Sequence, residues 1–157
     1  MLDISIIIPT YNRATLLERA IDSCLEARTD ALSLEIIVVD DGSTDDSRAI
    51  VAQFGDSVQY VWQANRGLSA ARNTGIKLAH GEFIGVLDAD DMYEPDFMST
   101  LVSVLRFDPI LRLCTVVINL WTIGIIPCRR RKRASSPGTN FIRLWWTGIF
   151  WFQNPCW

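Results

Sequence analysis

The sequence predicts an α/β fold with a doubly wound, mainly parallel sheet. Three observations carry that expectation: short uninterrupted runs of β-branched residues, apolar stripes at helical spacing between them, and unusual polar residues gathered just after several of the runs. Continuous apolarity suits strands covered on both faces, and strands alternating with helices suit right-handed βαβ crossovers. Such sheets take ligands outside the carboxyl ends of their strands, so the clusters at Thr10 to Arg13, Asp40 to Asp45 and Asp88 to Asp91 mark the expected rim.

The first run, Ile4-Ser5-Ile6-Ile7-Ile8, stops at Pro9 and reads as a buried strand. Ala14 to Ala27 then spaces Leu16, Leu17, Ala20, Ile21, Cys24 and Leu25 as one helical stripe, which Asn12 or Thr15 can cap. Leu34 to Val39 repeats the strand pattern and runs into Asp40-Asp41-Gly42-Ser43-Thr44-Asp45, dense in turn and capping residues. A helix over about Asp45 to Phe54 follows, with Ile50 and Phe54 expected inward. Val58 to Trp62 alternates as a short strand, Leu68 to Ala79 is helical, and Phe83 to Leu87 is a fourth strand ending at Asp88. A further helix is expected to begin near Pro95.

A length of 157 residues fits one domain. The formal charge of −3 conceals an asymmetry, because residues 1 to 109 hold all 18 acids against 8 basic residues. The last 48 residues hold the other 7 Arg and Lys, with five of the six Trp and three of the four Cys, Cys114, Cys128 and Cys156. Ordinary globular composition is not divided this way. Residues 1 to 107 therefore read as the folded unit, and 108 to 157 as an atypical basic, Trp-rich tail. The acidic excess of the first unit argues against a nucleic-acid partner, which calls for a basic face. Cys24 stands alone in that unit, the tail cysteines lack metal-pair spacing, and Ile4 to Ile8 has no basic leader, so a reduced cytoplasmic setting is expected.

Leu87-Asp88-Ala89-Asp90-Asp91 places three carboxylates in four positions directly after a buried strand. Their mutual repulsion calls for a positive partner. Hard oxygen ligands suit Mg²⁺ or Mn²⁺, which in phosphate chemistry take one or two carboxylates and complete the shell with water and diphosphate oxygens. The plainer use of Asp90, Asp91 and Asp96 is to cap the helix near Pro95. Asp40-Asp41 after the second strand offers a carboxylate that can accept from a uracil-like imide or a ribose hydroxyl, while an N-cap and glycine turn account for Ser43 to Asp45. In Pro9-Thr10-Tyr11-Asn12-Arg13, Tyr11 offers a face for a base and Thr10 a hydroxyl, whereas turn geometry alone accounts for Pro9 and Asn12. Arg72 has a plain use as a helix-surface residue paired with an acid one turn away, but Gly67 and Gly75 around it suggest a close backbone approach. His80 has no companion at metal spacing and reads as a solvent-facing helix-end residue.

Four blocks in order carry a resemblance: Ile6 to Arg13, Ile36 to Asp45, Asn65-Arg66-Gly67-Leu68-Ser69-Ala70-Ala71-Arg72-Asn73-Thr74-Gly75, and Leu87 to Asp91. Together they resemble family 2 glycosyltransferases of the GT-A, Rossmann-like fold, over about residues 3 to 107. The resemblance implies metal-dependent, inverting transfer of a sugar from a nucleoside-diphosphate donor, uridine-diphosphate-linked, to an acceptor hydroxyl in cell-wall or polysaccharide synthesis. It implies that Pro9, Thr10, Tyr11, Arg13 and Asp41 line the nucleotide pocket and that Arg72 reaches the base or phosphates. Asp88 and Asp90 would form the acid-x-acid motif, Asp90 as the direct ligand of Mn²⁺ or Mg²⁺ and Asp88 toward the ribose or the metal. A nucleotidyltransferase of related fold fits less well, because no Gly-rich basic loop follows the first strand.

Family members carry an acceptor-binding half with an acidic general base, and this sequence has no acid after Asp108. The expectation is a sheet incomplete at its C-terminus, a shift of coding frame near Phe107 to Ile110, and a catalytically inactive nucleotide-binding remnant as the alternative to an enzyme. Leu113 to Pro127 is apolar and precedes the basic Arg129 to Arg133, which would favour the inner face of a membrane, but it is short against the ~20 residues a span needs.

Overall fold

The computed structural model describes residues 2–29, 32–107, 114–119, 122–127 and 151–152. The elements run β1 (Ile4–Thr10), α1 (Ala14–Glu26), β2 (Leu34–Asp40), α2 (Ser47–Ala52), a short 3₁₀ turn (Gly55–Ser57), β3 (Gln59–Trp62), α3 (Leu68–Leu78), β4 (Phe83–Val86) and α4 (Phe97–Phe107). Strands β1 to β4 pair in parallel in the order β3-β2-β1-β4. The main sheet gains a fifth, antiparallel strand, β7 (Trp151–Phe152), which pairs with Phe83 and Ile84 of β4. An antiparallel pair, β5 (Cys114–Asn119) with β6 (Thr122–Pro127), forms a separate sheet. Leu113, Arg129 to Arg133, Cys128 and Cys156 lie outside the described residues. Among the described residues no helix is long and apolar enough to cross a membrane.

The continuous apolar runs follow from cover on both faces. Ile4, Ile6 and Ile8 of β1 and Ile36 and Val38 of β2 pack with Leu17, Ile21 and Cys24 of α1, Val51 of α2, and Met98, Leu101, Val102 and Leu105 of α4. Ile7 and the β2 residues Ile37 and Val39 face the other way, with Ile84, Val86 and Ala71 of α3. The period-two alternation that a half-exposed strand would show is therefore absent. Gly75 permits the second layer, since a Cβ there would stand 2.3 Å from Ile7 Cγ2. The close approach suggested by the glycines around Arg72 is thus, at Gly75, an approach of α3 to the sheet. Gly67 instead serves a backbone φ of 88° at the N-cap of α3.

Three local expectations are corrected. In α2 the buried residues are Ser47 and Val51, so Ile50 is only partly buried, whereas Phe54, just beyond the helix, packs partly buried against the core as expected. Neither Asn12 nor Thr15 caps α1: Arg13 is its N-cap without a side-chain bond, and the carboxylate that serves Ala14 N (2.9 Å) is Asp45 Oδ2, from the loop after β2. The same carboxylate accepts from Ser47 N (3.1 Å) and Ser47 Oγ (2.6 Å), so one side chain satisfies the first amide of two helices without being the N-cap of either. Finally, α4 begins at Phe97, and Asp90 and Asp91 stand before it in a turn closed by Asp91 N to Asp88 O (2.9 Å), so they do not cap it.

Candidate functional site

The strand register fixes where the polar clusters meet. Thr10 stands opposite Asp40, Asp40 opposite Trp62, and Ile7 opposite Val86, so the carboxyl ends of all four parallel strands reach one edge of the sheet. Contacts between loops close that edge into a continuous rim. Asp41 N donates to Thr10 O (2.9 Å), Asn12 N to Ser43 Oγ (2.9 Å), and Thr44 N to Asn12 Oδ1 (2.8 Å). Asn12 makes both bonds from a left-handed backbone at φ 52°, a conformation that asparagine tolerates better than most residues. On the other side of β1, the Arg13 guanidinium lies 4.0 Å from Asp90, both side chains about half exposed.

The acids of the Asp40-Asp41 pair are both buried and both engaged. Asp40 Oδ1 accepts from Ser43 N (2.7 Å) and Oδ2 from Tyr60 Oη (2.6 Å), which joins the turn after β2 to β3. Burial and that bond to Asp40 push the Tyr60 hydroxyl above its ordinary pKa. Asp41 Oδ1 accepts from Gln63 Nε2 (2.5 Å) and Arg66 N (3.0 Å), and Oδ2 from Gly67 N (2.7 Å). Burial opposes the Asp41 charge, but the Gln63 bond and the Arg66 and Gly67 amides outweigh it and hold the carboxyl below its usual range. Asp41, expected from the sequence in a nucleotide pocket, organises the loop that leads into α3.

Arg72 pairs with Asp88 at 2.5 Å, sixteen positions away across the rim, and not with an acid one turn along its own helix. Among the described residues its Nε is buried without a hydrogen-bond partner, and so is Thr10 Oγ1 at the end of β1. Unpaired buried donors cost roughly 1–3 kcal/mol each, so two at one rim point to a missing polar partner. Pro9 pairs with Val39 inside the sheet, whereas the Tyr11 ring is 49% exposed. Partial loss of solvent, then the charges of Asp88 and Asp90, raise the Asp91 carboxyl above its usual pKa. The acidic turn therefore carries more negative charge than Arg13 and Arg72 offset. Among the described residues no three His, Cys, Asp or Glu side chains gather as a metal cage. Two hard carboxylates on an open turn instead suit an ion that keeps water or phosphate oxygens in its shell.

Sequence reasoning missed Gln63 and Tyr93. Gln63 is buried and bonds groups 11 and 22 positions away, separations that no periodicity reports. Tyr93 N donates to Ser23 Oγ (3.1 Å) and Tyr93 Oη to Val86 O (3.3 Å), and its ring stacks on Phe97, which anchors the acidic turn to α1 and β4. The expected exposure of His80 matches its place beyond α3, where its N–H donates to Glu35 Oε1 (2.6 Å).

Comparison with known proteins adds a family, a relative and two solved structures. Residues 5–150 match the family described as Glycosyl transferase family 2. An uncharacterized glycosyltransferase of Nostoc sp. is 43% identical over 107 residues, covering 66% of this chain and 33% of the relative. A mannosyltransferase from Pyrobaculum calidifontis in complex with GDP-Man and Mn²⁺ shares the fold with TM-score 0.63 and 30% identity, over 74% of this chain and 35% of that one. S. aureus TarS 1–349 in complex with UDP-GlcNAc gives TM-score 0.62 and 26% identity, over 68% and 32%. The chain spans about a third of the length of the first three curated relatives, and less of longer ones such as chondroitin synthase of Escherichia coli, at 16%.

Proposed function

This chain belongs to glycosyl transferase family 2, and from that premise we propose that its rim binds a uridine-diphosphate sugar and donates the sugar, with inversion, to an acceptor hydroxyl. The observation that carries the reading is the pair of buried donors, Thr10 Oγ1 and Arg72 Nε, that find no partner among the described residues, at the rim where Asp88 and Asp90 stand. A nucleotide supplies what those donors lack: carbonyl, ribose and phosphate oxygens. Tyr11 offers its exposed ring as a stacking face, and Asp41 offers a charged acceptor for an imide N–H. Pro9 and the left-handed Asn12 set the direction of the loop that carries Tyr11 and Arg13. The mannosyltransferase relative holds GDP-Man and TarS holds UDP-GlcNAc, which supports a nucleotide-sugar donor as the class.

Asp90, with Asp88 beside it, would hold Mn²⁺ or Mg²⁺. When bound, such an ion neutralises charge on the departing diphosphate. The residues themselves do the remaining work. Arg72 restrains Asp88 through their ion pair, Arg13 lies across from Asp90, and the Tyr93 anchor holds the turn in place.

Calorimetry with UDP and Mn²⁺ on the folded chain tests the reading. Saturable binding that weakens at least tenfold in Asp90→Ala is expected, consistent with the loss of about 1.4 kcal/mol or more. A folded sample that gives no saturable heat overturns it.

A further inference from the structure

Gln63 follows β3 directly, is 7% exposed, and has no part in the roles derived so far beyond its bond to Asp41. Its backbone N–H donates to Asp40 O (2.9 Å), which continues the β2–β3 ladder past Trp62. Its side-chain oxygen accepts from Thr74 Oγ1 (2.6 Å) on α3 and from Arg66 Nη2 (3.2 Å). That pattern fixes which end of the amide faces which way. A guanidinium can only donate, so an inverted amide would set NH₂ against NH₂, whereas the observed one turns Nε2 to Asp41 Oδ1 at 2.5 Å.

Asp41 thereby receives three donors, from Gln63, Arg66 and Gly67, against the roughly four acceptor positions of a carboxylate. Among the described residues Oδ1 accepts two bonds and Oδ2 one, which leaves Oδ2 one lone pair unused. Resting on the donor-site reading above, we propose that Gln63 is a positioning residue for the donor's base: its orientation-locked amide fixes Asp41 so that the open position on Oδ2 meets an imide N–H. Through Thr74 the same amide ties that carboxylate to α3, which backs the base-binding side of the rim. A glutamine that merely filled the core would contribute to stability without affecting which bases bind.

The test uses the full chain, Mn²⁺, and three probes: UDP, UDP methylated at N3 of uracil, and inorganic pyrophosphate. N3 methylation removes the N–H that Oδ2 would accept, so the ratio of UDP to methylated-UDP affinity reads the positioning of Asp41. In the wild type that ratio is expected to be about tenfold or more, as for a hydrogen bond to a charged group. Gln63→Met keeps the side chain's length and removes its donor and acceptor. It is expected to bring the ratio to within about twofold of unity while pyrophosphate affinity stays unchanged. Thr74→Val, which leaves Gln63 in place but frees its oxygen, is expected to shrink the ratio partway, and it carries the test if Gln63→Met does not fold. Absence of wild-type UDP binding would end the donor-site reading itself. Wild-type UDP binding with no effect of methylation, or an undiminished ratio in either folded variant, would overturn the role of Gln63 and leave the donor site standing.

Discussion

At Asp41 a carboxylate that is 3% exposed stays charged because three donors converge on it. Its pKa lies below the ordinary value, as do those of Asp45, where bonds from Ser47 and Ala14 outweigh burial, and Asp3, led by the Ser33 amide. A folded-state pKa below the unfolded one means that the unfolded chain binds protons first. These groups therefore stabilise the fold above about pH 4 and lose that contribution as pH falls through their folded values. Urea denaturation from pH 7 to pH 3 is expected to show stability dropping in the acid range, and a rise on acidification would contradict the assignment. Asp41→Asn sets an NH₂ against one of the three donors and is expected to cost about 1–3 kcal/mol at pH 7, with a shallower acid dependence. Asp90→Ala should change stability by no more than about 0.5 kcal/mol, because its half-exposed partner stands 4.0 Å away. At this scale the rim was legible as residue types: Asp41, Asp88 and Asp90 lie where strand ends predict. Their partners were not, because the Arg72–Asp88 pair and the Gln63 amide depend on which loops fold together, and neighbouring sequence does not encode that.

Among the elements, strands were the easiest to read and helix starts the hardest. A strand covered on both faces announces itself as an unbroken apolar run, and all four parallel strands stand within a residue or two of their expected bounds. A carboxylate supplied from another loop leaves no such mark. Asp45 serves Ala14 N of α1 from 31 positions away while also serving Ser47 of α2, so local rules assigned the α1 cap to Asn12 or Thr15. Asp45→Ala should leave the first amide of both helices without this acceptor and lower stability by about 1–3 kcal/mol in thermal or urea unfolding. Asp45→Asn keeps one acceptor oxygen and should recover roughly half of that loss. A loss no larger than a few tenths of a kcal/mol would mean that neither helix depends on this carboxylate. Packing of α3 gives a second check: Gly75→Ala drives a methyl group into Ile7 and is expected to cost about 1–3 kcal/mol.

For the molecule as a whole, β1 is the element on which the rim depends. It lies between β2 and β4, and its loop bonds to the loop after β2 on one side and pairs with Asp90 on the other. A nucleotide bridging Asp41 and a cation on Asp90 would therefore brace loops from three strands, and its binding energy would appear as stability of the entire sheet. Ligand at 100 times its dissociation constant adds about 2.7 kcal/mol when it binds only the folded state. For a chain of this size that corresponds to a rise in Tm of about 5–10 °C. UDP and Mn²⁺ together are expected to raise Tm by more than the sum of their separate effects, because diphosphate oxygens complete the shell of an ion held by only one or two carboxylates. Asp90→Ala should abolish that excess while leaving the unliganded Tm nearly unchanged, since its ion pair is exposed and long. Strictly additive shifts in the wild type would mean that nucleotide and metal occupy separate places, and the loops after β1, β2 and β4 would then share an edge of the sheet without sharing a ligand.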